Sequence, residues 1–211
     1  MSDDAFRFAL LLHMDEIESF DYTCRHSNVP LQGLTNQERF KHILACSSCG
    51  APTFHARHRA IVESITSTCR RHCIAVEPNP RDLPRVGNSR GGADILLWRG
   101  TDWYSIDVTI SKKPDAAYLR KEALYARYAI LTNSITLPAA ISPYGQIHRS
   151  TWQAFLKIAT GTRGFISDLN LHIQHALIIG QFNGITRLQA RQDQPTTDYS
   201  AMTFDELQDA D

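Results

Sequence analysis

The chain has 211 residues, 43% of them hydrophobic and 21% charged, with equal numbers of acidic and basic side chains. That is enough for one soluble domain with some elaboration and a buried core. No apolar run approaches the roughly 20 residues that span a bilayer, and the acidic flanks of the short apolar run near the start do not suit a secretory signal.

The zero net charge hides an asymmetry. Residues 1–21 carry six acids against one Arg, and residues 192–211 carry six acids with no Lys or Arg, whereas 22–191 hold 21 bases and 10 acids. A basic body with acidic ends suits a polyanionic partner, and it suits equally well ends that only keep the chain soluble. The five cysteines are Cys24, Cys46, Cys49, Cys69 and Cys73. Their odd number argues against a disulfide scaffold, and the histidines close by point to metal and a reducing compartment.

In chain order, Phe6, Leu10 and Ile17 give one apolar side to a helix expected over 5–18. Residues 22–54 are rich in Cys, His, Gly, Ser, Asn and Pro, with a short helical piece near Gln37–Ala45. A long helix is expected from about His55 to Cys73, with Ile61, Ile65, Cys69 and Cys73 at helical spacing and both cysteines facing the core. Ile74–Glu77 is a strand candidate stopped by Pro78 and Pro80, and residues 79–92 form a loop holding Arg81, Arg85 and Arg90.

Two runs then read as a hairpin: Ala93–Trp98 is strongly apolar, Trp103–Ile110 is β-branched and aromatic, and Arg99-Gly100-Thr101-Asp102 turns between them. A helix follows Pro114, over about Asp115–Leu131. Ile135–Ile141 is a further strand, marked as an edge by Pro138. Thr151–Thr160 and Phe165–Ile179 close the order as helices, and beyond Arg191 the composition is that of an acidic, disordered tail. The expected class is α/β, with a small central mixed sheet flanked by helices.

Asp94 lies in an apolar strand and Asp107 in the next one. A charge in such a place is costly unless it is paired or holds a metal. A turn centred near Gly100-Thr101 sets the two aspartates near opposite positions, with their side chains on one face. Two carboxylates that close raise each other's pKa, and a divalent cation relieves the repulsion. Mg²⁺ (or Mn²⁺) takes oxygen ligands, so the pair reads as a site for phosphodiester hydrolysis. Lys121 and Tyr125, four apart on the next helix, share a face, and a Lys there stabilises charge on a phosphate. Tyr118 and Tyr128 lie near the same stripe. Glu77 or Glu63 could add a third oxygen, and spacing does not choose between them.

Cys24, His26, His42 and Cys46 supply two pairs of nitrogen and sulfur ligands separated by a loop, which is what a closed structural zinc site needs. Cys49, His55 and His58 are alternates. The loop has little core of its own, so zinc would supply its folding energy.

Taken in order, several motifs resemble one family: Cys24-Arg-His26 with His42-Ile43-Leu44-Ala45-Cys46, Arg57-His58 opening a helix, Glu77-Pro78 ending a strand, Asp94 and Asp107 thirteen residues apart, Lys121 ahead of Tyr125, then Pro138 and Tyr144-Gly145. The chain resembles, over roughly residues 5–180, the restriction-like endonuclease domain of non-LTR retrotransposons, a branch of the PD-(D/E)XK nuclease superfamily. There are departures. The first zinc pair is Cys-x-His, and Gly91-Gly92-Ala93 stands where the family has Lys-Pro or Arg-Pro, with Arg90 the nearest base. The second acid is Asp107 rather than the Glu common in the superfamily, and Thr109 replaces the Lys two residues after it, so Lys121 inherits that role.

The resemblance implies a restriction-endonuclease-like core over 55–190, a helix and zinc-knuckle segment over 1–54 and an acidic tail over 191–211. It implies a Mg²⁺-dependent endodeoxyribonuclease that nicks DNA, with Asp94 and Asp107 on the metal, Glu77 as a helper, and Lys121 and Tyr125 placing water or phosphate. Arg81, Arg85, Arg90, Lys112 and Lys113 would contact phosphates, zinc would be structural, and RNA and a reverse transcriptase of the same element are further expected partners. An intracellular, nuclear location follows from that reading. The alternative is a catalytically inactive, zinc-containing nucleic-acid-binding module.

Overall fold

The structure is a computed structural model that describes residues 23–24, 28–35, 38–39, 42–43, 46–80 and 92–190. The expected helix over 5–18, the arginine loop at 81–91, the acidic tail and His26 lie outside these residues. The chain divides into two compact units, residues 58–177 and residues 1–57 with 178–211. The expected core boundary at 54/55 falls three residues from the first of these divisions, but residues 178–190 group with the N-terminal segment rather than with the core.

The 58–177 unit is built on a four-stranded sheet, β1 (Ala75–Pro78), β2 (Ile95–Arg99), β3 (Asp102–Ile110) and β4 (Ile135–Ile141), in that spatial order. The first three strands are antiparallel and β4 runs parallel to β3. The sheet is therefore mixed, as expected, and β4 with its Pro138 is an edge. β1 ends on Pro78, one residue later than the expected Glu77; Pro78 pairs with Ile95 as the last residue of the outer strand, where a missing N–H is tolerated.

β2 and β3 meet at a tight turn with Trp98 opposite Trp103, and the two indoles pack edge to face at 5.5 Å. One sheet face is aliphatic: Ile95, Leu97, Ile106, Val108, Leu137, Ala139 and Ile141 are all buried. The other face of β3 is buried too, through Ser105, Asp107 and Thr109. Tyr104, Ile106, Val108 and Ile110 alternate with Ser105, Asp107 and Thr109, so the period-2 pattern of this strand separates an apolar buried face from a polar buried one rather than core from solvent.

The helices are α1 (Ser47–Arg71), α2 (Pro114–Thr132), α3 (Arg149–Ile158) and α4 (Phe165–Ala190). Within the 58–177 unit, Ile61 and Ile65 of α1 and Phe165, Leu169 and Ile173 of α4 are fully buried. Polar ties join the same two helices: His72 meets Asp168 at 2.9 Å, and Thr68 meets His172 at 2.7 Å. α3 is pinned to the outer rim of β4 by Thr151, whose hydroxyl donates to the Pro138 carbonyl at 2.7 Å and accepts from the Ala140 amide at 3.3 Å. No helix among the described residues is long and apolar enough to cross a membrane.

Two helix expectations need correction. α1 begins eight residues before His55, and α4 runs eleven past Ile179. The cause is tertiary packing within the other unit. A Cβ placed on Gly184 would come within 2.4 Å of the Thr53 Cα, and one on Gly180 within 2.5 Å of the Arg57 Cα. The two glycines, one turn apart, let the helix ends lie directly against each other, and such contacts override the weak helix propensity of SSCGAPT. Cys73 is also a correction. α1 stops at Arg71, Cys73 adopts a φ of 55°, and its side chain is exposed rather than in the core. Cys69 is buried, and burial pushes its thiol up to about 12, so it behaves as an inert apolar residue.

The N-terminal segment has a small core of Cys24, Leu31 and Ile43, with Val29, Leu34 and Cys46 packed against it. Thr35 and Glu38 exchange hydrogen bonds as a helix capping box, and residues 38–39 and 42–43 are helical, within the piece expected near Gln37–Ala45. The buried Arg39 donates to the carbonyls of Leu31 and Leu34 at 3.0 and 3.1 Å.

Candidate metal and carboxylate sites

In the N-terminal segment, ligand atoms of Cys24, His42 and Cys46 all lie within 4.8 Å of one another. The Cys24 and Cys46 sulfurs are 3.5 Å apart. His42 Nε2 is buried with no hydrogen-bond partner among the described residues. Two sulfurs and an imidazole nitrogen gathered in a small core, one of them unsatisfied, form a group that can bind a metal, and soft donors of this kind suit zinc. Of the alternates, His55 packs edge-on to Phe54 outside this group, and His58 belongs to a different site. His26 and the Cys49 side chain lie outside what is described.

The second site grows out of the hairpin. The β2–β3 register pairs Ile95 with Ile106, and one step further sets Asp94 opposite Asp107, as the turn position implies. Asp94 sits just before β2. Its carbonyl accepts from the Asn79 amide at 2.7 Å, and its Oδ2 accepts from the Val108 amide at 2.6 Å. Asp107, opposite Pro138 on the parallel side, is 7% exposed. Its Oδ2 is met by the Lys121 ammonium at 2.7 Å. Lys121 in turn lies over the ring of the buried Tyr125 at 5.8 Å, so the two share the α2 face expected from their spacing.

Burial pushes the Asp107 carboxyl up to about 6, and the Asp94 charge pushes the same way, while Lys121 and His58 pull it back. Burial thus outweighs the pull of Lys121 and His58, and the carboxyl stays above its ordinary range.

His58 was not expected here. Its Nε2 lies 3.2 Å from Asp94 Oδ2. Burial alone pulls the imidazole down, but the bond to Asp94, the charges of Asp94 and Asp107 and a backbone bond to Val108 outweigh that and raise its pKa. The available signal was phase: His58, Ile61 and Ile65 fall on one helical face, and a polar residue on a buried face needs a partner.

The remaining expected residues are not gathered at the pair. Glu77 and Glu63 are both exposed, and among the described contacts neither bonds to Asp94 or Asp107. Tyr118 stacks on His148 at 4.1 Å instead of joining Lys121, and the Tyr128 side chain lies outside what is described. Lys112 and Lys113 are exposed at the start of α2, and Arg81, Arg85 and Arg90 lie outside the described residues. A cleft of about 620 Å³ opens elsewhere, between the start of β4 and α3, lined by Tyr118, Thr136, Ser150 and Lys157 and by none of the carboxylate-site residues.

No protein-family model and no curated protein matches this chain.

Proposed function

We propose that the chain is a divalent-cation-dependent endonuclease acting on DNA, with a restriction-endonuclease-like core and a structural zinc at Cys24, His42 and Cys46. One observation carries the reading: the opposed carboxylates of Asp94 and Asp107, with the Lys121 ammonium 2.7 Å from Asp107. The donor set fits Mg²⁺ or Mn²⁺, since both ligands are hard oxygens and the Asp94 charge disfavours ionisation of Asp107, a repulsion that a cation would relieve. Bound there, the cation would supply Lewis-acid stabilisation of the charge that builds on the phosphodiester.

The chain's own residues do the rest. Lys121 keeps Asp107 ionised and presents a positive charge toward the substrate phosphate. Tyr125 supports the Lys121 stem. Lys112 and Lys113 offer exposed charge for the flanking phosphates, which makes binding depend on salt. The helix-flanked mixed sheet is consistent with the resemblance, which implies DNA as the partner and a nuclear location.

The test is nicking of supercoiled plasmid. Asp94→Ala and Asp107→Ala are expected to abolish Mg²⁺-dependent nicking while leaving DNA binding in place; unchanged cleavage in both variants sinks the reading.

One observation favours a second reading, an inactive nucleic-acid-binding module. Lys121 already neutralises Asp107, and His58 and the Val108 amide already occupy Asp94 Oδ2, so the site is balanced by side chains alone. Tight DNA binding without cleavage in either Mg²⁺ or Mn²⁺ would identify that case.

A further inference from the structure

Asp94 lies one residue before β2 with its backbone carbonyl bonded to the Asn79 amide, and the orientation of its side chain is set by the groups that bond to the carboxylate. A carboxylate swings about one bond and presents whichever oxygen its partners leave. Both described partners of the Asp94 side chain use the same oxygen: the Val108 amide reaches Oδ2 at 2.6 Å, and His58 Nε2 reaches it at 3.2 Å. The two donors come from different elements, β3 and α1. His58 is itself aimed by packing, because Ile61 and Ile65, three and seven residues further along α1, are fully buried. The His58 and Asp94 side chains are 27% and 18% exposed, so the contact is largely shielded from competing water.

We propose that His58 is a positioning residue for Asp94: together with the Val108 amide it fixes one carboxylate oxygen and so turns the other toward Asp107 and the cation. The proposal rests on the reading of Asp94 and Asp107 as cation ligands. It replaces the expectation that His58 is a spare zinc ligand, and it makes α1 part of the carboxylate site. A partner that orients a ligand acts on metal affinity, and removing such partners typically costs about 10- to 100-fold. A histidine that only ties α1 to the sheet would lower thermal stability and leave the metal requirement unchanged.

The experiment uses the full, zinc-loaded chain and follows plasmid nicking against Mg²⁺ concentration, with Mn²⁺ binding measured directly by electron paramagnetic resonance. In His58→Phe, the Mg²⁺ concentration for half-maximal nicking is expected to rise at least about tenfold, with the rate at saturating Mg²⁺ little changed and Mn²⁺ binding weakened in step. His58→Gln, whose amide can still donate to Oδ2, is expected to recover most of the affinity, and the shorter His58→Asn is not. Should the Phe variant fail to fold, the Gln and Asn pair decides. An unshifted metal requirement in Phe, or equal behaviour of Gln and Asn, overturns the proposal while leaving the nuclease reading intact. Wild-type Mn²⁺ binding that survives Asp94→Asn overturns both.

Discussion

The chain holds two clusters of metal-type donors, and they differ in what keeps them together. Cys24 belongs to a small core and Cys46 packs against it, and His42 Nε2 is buried without a partner among the described residues. Asp94 and Asp107 instead stand on a sheet whose aliphatic face is buried, with their charges met by Lys121 and His58. The first cluster can bind a metal ion, which would complete the bonding of His42. The second is set by the fold and balanced by side chains before any ion arrives. Metal removal should therefore be a folding event at one cluster and only a functional event at the other.

The largest expected effect tests that contrast. Stripping the metal with a strong chelator, or making Cys46→Ala, should open the N-terminal segment while leaving the hairpin closed. By hydrogen exchange, the Cys24 and Leu34 amides are expected to exchange at least ~10³-fold faster, well within the ~10–16 kcal/mol that a structural zinc supplies. The Val108 amide, which donates to Asp94, should hardly change.

Next in size is Lys121→Met. Losing one charge aimed at the reacting centre is expected to cost about 10²–10³ in nicking rate, and the pH at which activity appears should move above about 6, because Asp107 loses its main counter-charge. Lys121→Arg should lose less.

A third effect has the opposite sign. The Asp107 pKa is raised in the folded chain, so the stability this group contributes is present below about 3.8 and is lost as pH rises through about 6. Asp107→Asn removes the charge, and in the absence of divalent cation it should be more stable than wild type at pH 8, by up to about 3 kcal/mol. The gain should vanish near pH 4; urea unfolding at the two pH values measures it. A matching gain from Cys24→Ser would erase the distinction between the clusters. The smallest effect is Trp103→Ala, expected to cost about 1 kcal/mol through its edge-to-face partner Trp98 and to leave both metal requirements unchanged.

The sequence made the hairpin legible because Gly100-Thr101 fixes a turn, and a turn fixes register; the opposition of Asp94 and Asp107 follows by counting. Lys121 and Tyr125 were legible from their i, i+4 spacing on an uninterrupted helix. Helix ends were not, because Thr53 and Gly184 extend α1 and α4 through a contact between residues 131 positions apart. Cys73 misled because the 3.6-residue period was continued two residues beyond Arg71, where the backbone leaves the helix. His58 was taken for a zinc alternate because proximity along the chain outweighed its phase on α1. Glu77 lies one strand pair away from the acids by register and yet stays in solvent, which pattern alone does not reveal.

The most direct measurement is Mn²⁺ binding to the zinc-loaded chain, with metal content counted in parallel. The expected result is one Mn²⁺ per chain in wild type, lost in Asp94→Asn and in Asp107→Asn, with zinc content unchanged in all three. Mn²⁺ binding that persists in both variants, or that occurs only by displacing zinc, would contradict the assignment of the carboxylate pair as the cation site.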